Sequence, residues 1–227
     1  MNRASLPEPL PIVPHALRRP VAIVAILATL VVVTLALTVA GDSAPASFDR
    51  ALQQELEIST PAESRWALAV DFAGEPVGLA VLVALLVGVA LLLRRPRVAV
   101  LVVLGTGLTI SVTSALKPLV GRTIHDIYLS YPSGHTASAT AVAMSAVMLV
   151  WHRLSRGAAL ALLYGVAFVV GAAAAWAQST LVAHYPSDTV GGWCTALAVV
   201  PATALLIDYA VVRWSIRWPR QASPSSG

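Results

Sequence analysis

Two short polar islands carry the residue types that could do chemistry in this chain. The first is Tyr131-Pro132-Ser133-Gly134-His135-Thr136, which closes a polar connector and opens an apolar run from Ala137 to Trp151. A Ser-Gly pair starting a helix leaves the first backbone N–H groups unpaired at the positive end of the helix dipole. That is an anion site suited to phosphate. His135 beside it can exchange a proton near neutral pH. The second island, His184-Tyr185-Pro186-Ser187-Asp188, comes about fifty residues later, again between apolar runs. A carboxylate four residues after a histidine, across a proline turn, can fix one imidazole tautomer and raise its basicity. Lys117 and Arg122 precede the first island by a short connector, which keeps two cations near the His135 turn.

These islands sit in a chain that is almost wholly apolar. It has 227 residues, of which 57% are hydrophobic and 11% charged, with a mean hydropathy of +0.78. Soluble domains carry about 25% charged residues, so the composition describes an integral membrane protein. A formal charge of +4 would admit a nucleic-acid partner. The arginines, however, form short clusters between apolar runs, which is a topology signal and excludes a nucleic-acid patch. Cys194 is the sole cysteine and lies inside an apolar run, so it reads as a structural thiol with no intramolecular disulfide.

Six runs are suited to spanning: Val21–Ala40, Val77–Leu93, Val98–Leu116, His135–Trp151, Ala158–Trp176 and Thr189–Val211. The first follows Arg18-Arg19-Pro20, and Ala44-Pro45-Ala46 loosely suits a signal cleavage site. A signal core is only about 7–15 residues long, so this run is read as a retained span. The expected fold class is all-α, a six-transmembrane-helix bundle. An extracytoplasmic amphipathic helix is expected between helices 1 and 2, where Phe48, Leu52 and Leu56 recur every four residues among Asp49, Gln53, Gln54 and Glu57. Residues 1–16, with four prolines, read as a disordered cytoplasmic tail. Residues 17–218 read as the membrane domain, and 219–227 as a second cytoplasmic tail. Arg94 to Arg97, His152 to Arg156 and Arg213 to Arg220 alternate with connectors holding most of the acids. The positive-inside rule therefore predicts cytoplasmic termini in the cell membrane and an extracytoplasmic site.

Taken together, the lysine, the PSGH turn of Pro132–His135 and the later His184/Asp188 pair resemble the type 2 phosphatidic acid phosphatase superfamily, the six-helix membrane lipid phosphatases. The resemblance is strongest from Lys117 to Trp193. It implies His184 as the nucleophile that takes a phosphoryl group, Asp188 as its orienter and His135 as the acid that protonates the leaving oxygen. It also implies Lys117, Ser133 and the Gly134 amide as phosphate-holding groups. Two departures accompany it. Where the family's first motif has an arginine and a proline this chain has Ile124 and His125, and the serine-arginine pair of the third motif maps to Ala177 and Gln178. Arg122, following Gly121, is expected to replace one missing cation, and Gln178 to donate a neutral hydrogen bond.

The implied function is a hydrolase acting on a lipid or polyprenyl phosphate monoester at the outer leaflet through a phosphohistidine. Asp126 and Asp188 stand alone in the sequence beside the histidine turns, so no Mg²⁺ cluster is expected; neither a metal nor a cofactor is predicted. The expected partners are the bilayer and its lipid phosphate. A phosphotransferase of the same plan, a degenerate relative that binds lipid phosphate without turnover, and a satisfied polar network at the interface compete with this reading. A transporter is disfavoured because the polar groups crowd one face.

Overall fold

The structure is a computed structural model and describes residues 10–56 and 60–217. Among these, eight α-helices follow in order: α1 (Arg18–Thr38), α2 (Ser47–Glu55), α3 (Pro61–Phe72), α4 (Pro76–Leu92), α5 (Pro96–Val120), α6 (Gly134–Val150), α7 (Arg156–Thr180) and α8 (Pro186–Arg217). Helices α1, α5, α6, α7 and α8 are long and apolar enough to cross a membrane. The shorter α4 reaches that length only together with α3, from which it is bent by 58°, giving five single-helix spans, or six with the bent pair counted as one. The fold is the expected all-α membrane bundle.

Local chemistry sets the helix ends. Proline occupies the first turn of α3, α4 and α5, where its missing N–H is no loss. Ser133 and Ser155 cap α6 and α7 through their hydroxyls. Thr60 and Glu63 exchange hydrogen bonds across the first turn of α3. Helix α5 stops at Gly121, which adopts a left-handed conformation at φ 66° and turns the chain into a short hairpin. There Thr123–Ile124 pairs with Tyr128–Leu129.

Hydrogen bonds join the connectors at one end of the bundle: the Thr123 N–H donates to the Asp42 carbonyl at 2.9 Å, and His125 reaches the Val182 carbonyl at 3.0 Å. Helix α6 is the most enclosed span, packed by α5, α7 and α8. Its small residues Ala137 and Ala141 are fully buried, which lets the neighbouring backbones approach closely.

Two expectations change. Helix α2 forms where predicted, but its inward anchor is polar: Asp49 is fully buried while Phe48 stays exposed. Glu57 of that stretch lies outside the described residues. The second change concerns the tail predicted over residues 1–16, whose later part is packed. Ile12 and Val13 are fully buried, and their N–H groups donate to the Asp208 carboxylate on α8 at 2.9 and 2.8 Å. The Trp151 indole donates to the Ile12 carbonyl at 2.8 Å. Proline-rich composition gave no hint of this anchor, because the segment is held through its backbone. Residues 1–9 and 219–227 lie outside the described residues.

Candidate active site

A cavity of about 620 Å³ descends between α4 and α5. Leu79, Ala80, Val83, Val103 and Ile110 form its apolar walls, and Lys117, Gly134, His135 and His184 close one end. Residues far apart in sequence thus meet at a single polar head above a hydrocarbon-lined slot.

His184 sits in the turn between α7 and α8, with only 7% of its surface exposed. Its Nδ1 faces Oδ2 of Asp188 at 3.8 Å, a charge-pair distance longer than a hydrogen bond. Burial holds the imidazole pKa below the ordinary histidine range. Asp188 opposes that shift, and the charges of Lys117 and His135 reinforce it. His184 is therefore neutral at pH 7, the form in which a ring nitrogen can attack.

Asp188 opens α8 and is fully buried behind the histidine. Its Oδ2 accepts the Tyr185 N–H at 3.0 Å, and its Oδ1 accepts from Arg122 at 2.6 Å. The Asp188 carbonyl takes the Ser133 N–H at 2.9 Å, which fastens the two islands together. Gly192, one turn further along α8, passes so close to Ser133 that a Cβ would fall inside the van der Waals envelope of the Ser133 carbonyl.

His135 lines the cavity from the first turn of α6. Its Nε2 lies 3.4 Å from Glu75 and 3.7 Å from Asp71. Gly74, in the break between α3 and α4, packs on the ring; a Cβ there would lie 2.6 Å from Cδ2 of His135. These acids were not foreseen, and they overturn the expectation that no carboxylates gather at the histidine turns. The ligand atoms of Asp71, Glu75 and His135 lie within 4.8 Å of one another, so the three could hold a cation.

The remaining predicted residues stand one layer back. Arg122 is fully buried. It donates through Nη1 to Ser187 at 2.7 Å and to Asp188, and through Nη2 to Asp49 at 2.7 Å. Its guanidinium lies 4.4 Å from the Tyr185 ring centroid. Arg122 was expected at the substrate phosphate; it lies outside the cavity lining, and each of its outer nitrogens is engaged by a carboxylate.

Ser133, also expected at the phosphate, caps α6. Its hydroxyl accepts from the Thr136 N–H at 3.4 Å, and its own N–H is engaged by Asp188. Gln178 donates its amide to Asp71 instead of facing the cavity. Ile124, at the missing arginine position, is buried in the hairpin, and the adjacent His125 reaches the Val182 carbonyl at 3.0 Å. Lys117 is the one cation among the residues lining the cavity.

The bundle of five or six spans and the paired histidines at one end of it describe a phosphatase-like membrane protein. A family model described as the PAP2 superfamily matches residues 77–211, more than half of the 227 residues, and the chain belongs to that superfamily. No curated protein and no solved structure matches it.

Proposed function

We propose that the protein hydrolyses a lipid or polyprenyl phosphate monoester at the outer leaflet through a phosphohistidine on His184. One observation carries this reading: His184, His135 and Lys117 share the polar end of an apolar cavity that an acyl or prenyl chain can fill. With Nδ1 of His184 turned toward Asp188, Nε2 is the nitrogen left to attack phosphorus. As the N–P bond forms, the P–O bond to the lipid breaks, and protonated His135 delivers its proton to the leaving oxygen. Water then attacks the phosphohistidine while His135 takes its proton, releasing inorganic phosphate and neutral His184. Lys117 and the first N–H groups of α6 offset the phosphoryl charge.

A single lining cation suits a monoester better than a diphosphate. The arginines at the opposite end of the bundle (Arg94, Arg97, Arg153, Arg156 and Arg213) support cytoplasmic termini and an extracytoplasmic site.

The test is rapid acid and base quench of the purified protein with radiolabelled phosphatidic acid in mixed micelles, beside His184→Ala. Acid-labile, base-stable label is expected in the wild type and absent from the variant. Equal hydrolysis by His184→Ala would overturn the mechanism. Binding without hydrolysis by folded wild type would favour the degenerate lipid-phosphate-binding reading, and transfer to an alcohol acceptor the phosphotransferase.

A further inference from the structure

Helix α2, in the connector between the first two spans, reaches the catalytic turn through one residue. Asp49 is fully buried on it. Its Oδ1 accepts the Ser187 N–H at 2.8 Å, and its Oδ2 accepts the Ser187 hydroxyl at 2.9 Å and Arg122 Nη2 at 2.7 Å. Asp49 therefore caps the first turn of α8 from another helix. It also shares one guanidinium with Asp188, whose Oδ1 takes Nη1 at 2.6 Å.

Burying three charges to hold a short loop is a poor route to stability, since desolvation offsets most of the attraction. What the arrangement does fix is the direction of Asp188. With Asp49 present, Arg122 divides its two Nη groups between two carboxylates, and Oδ2 of Asp188 remains turned toward His184. Without Asp49, both Nη groups would converge on Asp188 and draw it away from the imidazole. The net charge behind the ring would also rise from −1 to zero.

We propose that Asp49 is a positioning residue for the His184 nucleophile, acting through Arg122 and Ser187 on Asp188. The inference rests on the proposed role of His184. The charged and titratable groups facing that ring are Asp188 on α8, Lys117 on α5 and His135 on α6. Asp49 adds its negative charge from the second row, and removing it makes the imidazolium less favourable.

Two readouts test the proposal on the full chain in detergent micelles. The first is the titration midpoint of His184, read by NMR of histidine-labelled protein and assigned with His184→Ala. The second is steady-state hydrolysis of phosphatidic acid. Asp49→Asn is expected to move the midpoint to lower pH. It should reduce kcat at least about tenfold with KM changed less than about threefold, as for a displaced catalytic group. Asp49→Glu should restore the midpoint by restoring charge, while kcat stays depressed because the longer side chain shifts the cap.

Ser187→Ala, which leaves both charges in place, should lower kcat if Asp49→Asn fails to fold. Glu55→Gln, an exposed acid on the same helix, should change neither readout. A folded Asp49→Asn with wild-type midpoint and kcat would overturn the proposal. So would a Ser187→Ala of unaltered kcat where Asp49→Asn cannot be folded. A shifted midpoint in a wild-type background that hydrolyses nothing would sustain the positioning role and sink the phosphatase reading instead.

Discussion

Gly192 packs directly on Ser133: α8 crosses the start of α6 where a Cβ on Gly192 would overlap the Ser133 carbonyl oxygen. The contact holds the two histidine-bearing islands in register. Gly192→Ala should force the helices apart, lower kcat/KM at least about a hundredfold, as expected for a displacement near 1 Å, and lower Tm. Gly165→Ala on α7, where a Cβ meets nothing within 4 Å, should be neutral in both assays. A Gly192→Ala enzyme of full activity would show that the islands tolerate separation.

Arg122→Ala should act on stability and kcat more than on KM. Removing one partner of a buried ion pair costs about 3–5 kcal/mol, and here it leaves Asp49 and Asp188 facing each other unneutralised. Arg122→Lys should not rescue, because one ammonium cannot bridge both carboxylates in the forked geometry. The measurement is thermal melting beside full kinetics. A raised KM with unchanged melting would return Arg122 to the role of phosphate ligand.

The pH profile follows from burial of His184. Attack requires the neutral ring, so activity is present above the His184 pKa and lost as pH falls through it. Because the folded pKa is lowered, the acid limb of kcat/KM should lie below the free-histidine value of about 6.5. The same shift means the unfolded chain binds more protons in that window, so His184 contributes stability that also declines there. An acid limb at or above the free-histidine value would contradict a buried neutral nucleophile.

Sidedness is open to chemical labelling. In a Cys194→Ala background, Gln54→Cys should react with a membrane-impermeant maleimide on intact cells, and Arg153→Cys only after lysis; both positions are exposed. The reverse pattern would move the site to the cytoplasmic face.

The Asp71–Glu75–His135 group makes the metal question experimental. In the proposed mechanism these carboxylates flank the His135 ring without a metal, and treatment with EDTA should leave turnover within about twofold. Loss of activity that Mg²⁺ restores, and that Asp71→Asn abolishes, would instead assign a cation to the three side chains.

The five long spans were legible as apolar runs of bilayer length, and the shorter α4 as an apolar run between Pro76 and Arg94. The cavity head was legible because Lys117, Gly134, His135 and His184 sit where helices begin or end. The supporting layer was not. Asp49 meets Arg122 and Ser187 across separations of 73 and 138 residues, and nothing local distinguishes it from the other acids of its connector. Helix α3 did carry a signal, the Thr60/Glu63 reciprocal cap, yet its apolar content is too short to stand out beside the spans. Arg122 was expected at the phosphate, but its partners Asp49, Ser187 and Asp188 lie 65 or more residues away in sequence, where no local pattern reveals them.

The anchoring of Ile12 and Val13 on Asp208 has a bearing on biogenesis. The segment just before the first span has its docking partner on the last of the described helices, and α1 itself packs along α8. Neither can be satisfied while the ribosome is still making the helices between them. Closure must therefore wait on α8, which brings Asp208 to one end of the bundle and Asp188 to the other. An arrest or frameshift before Pro186 would thus yield a chain that inserts its early spans yet remains open at both ends, a natural substrate for membrane quality control.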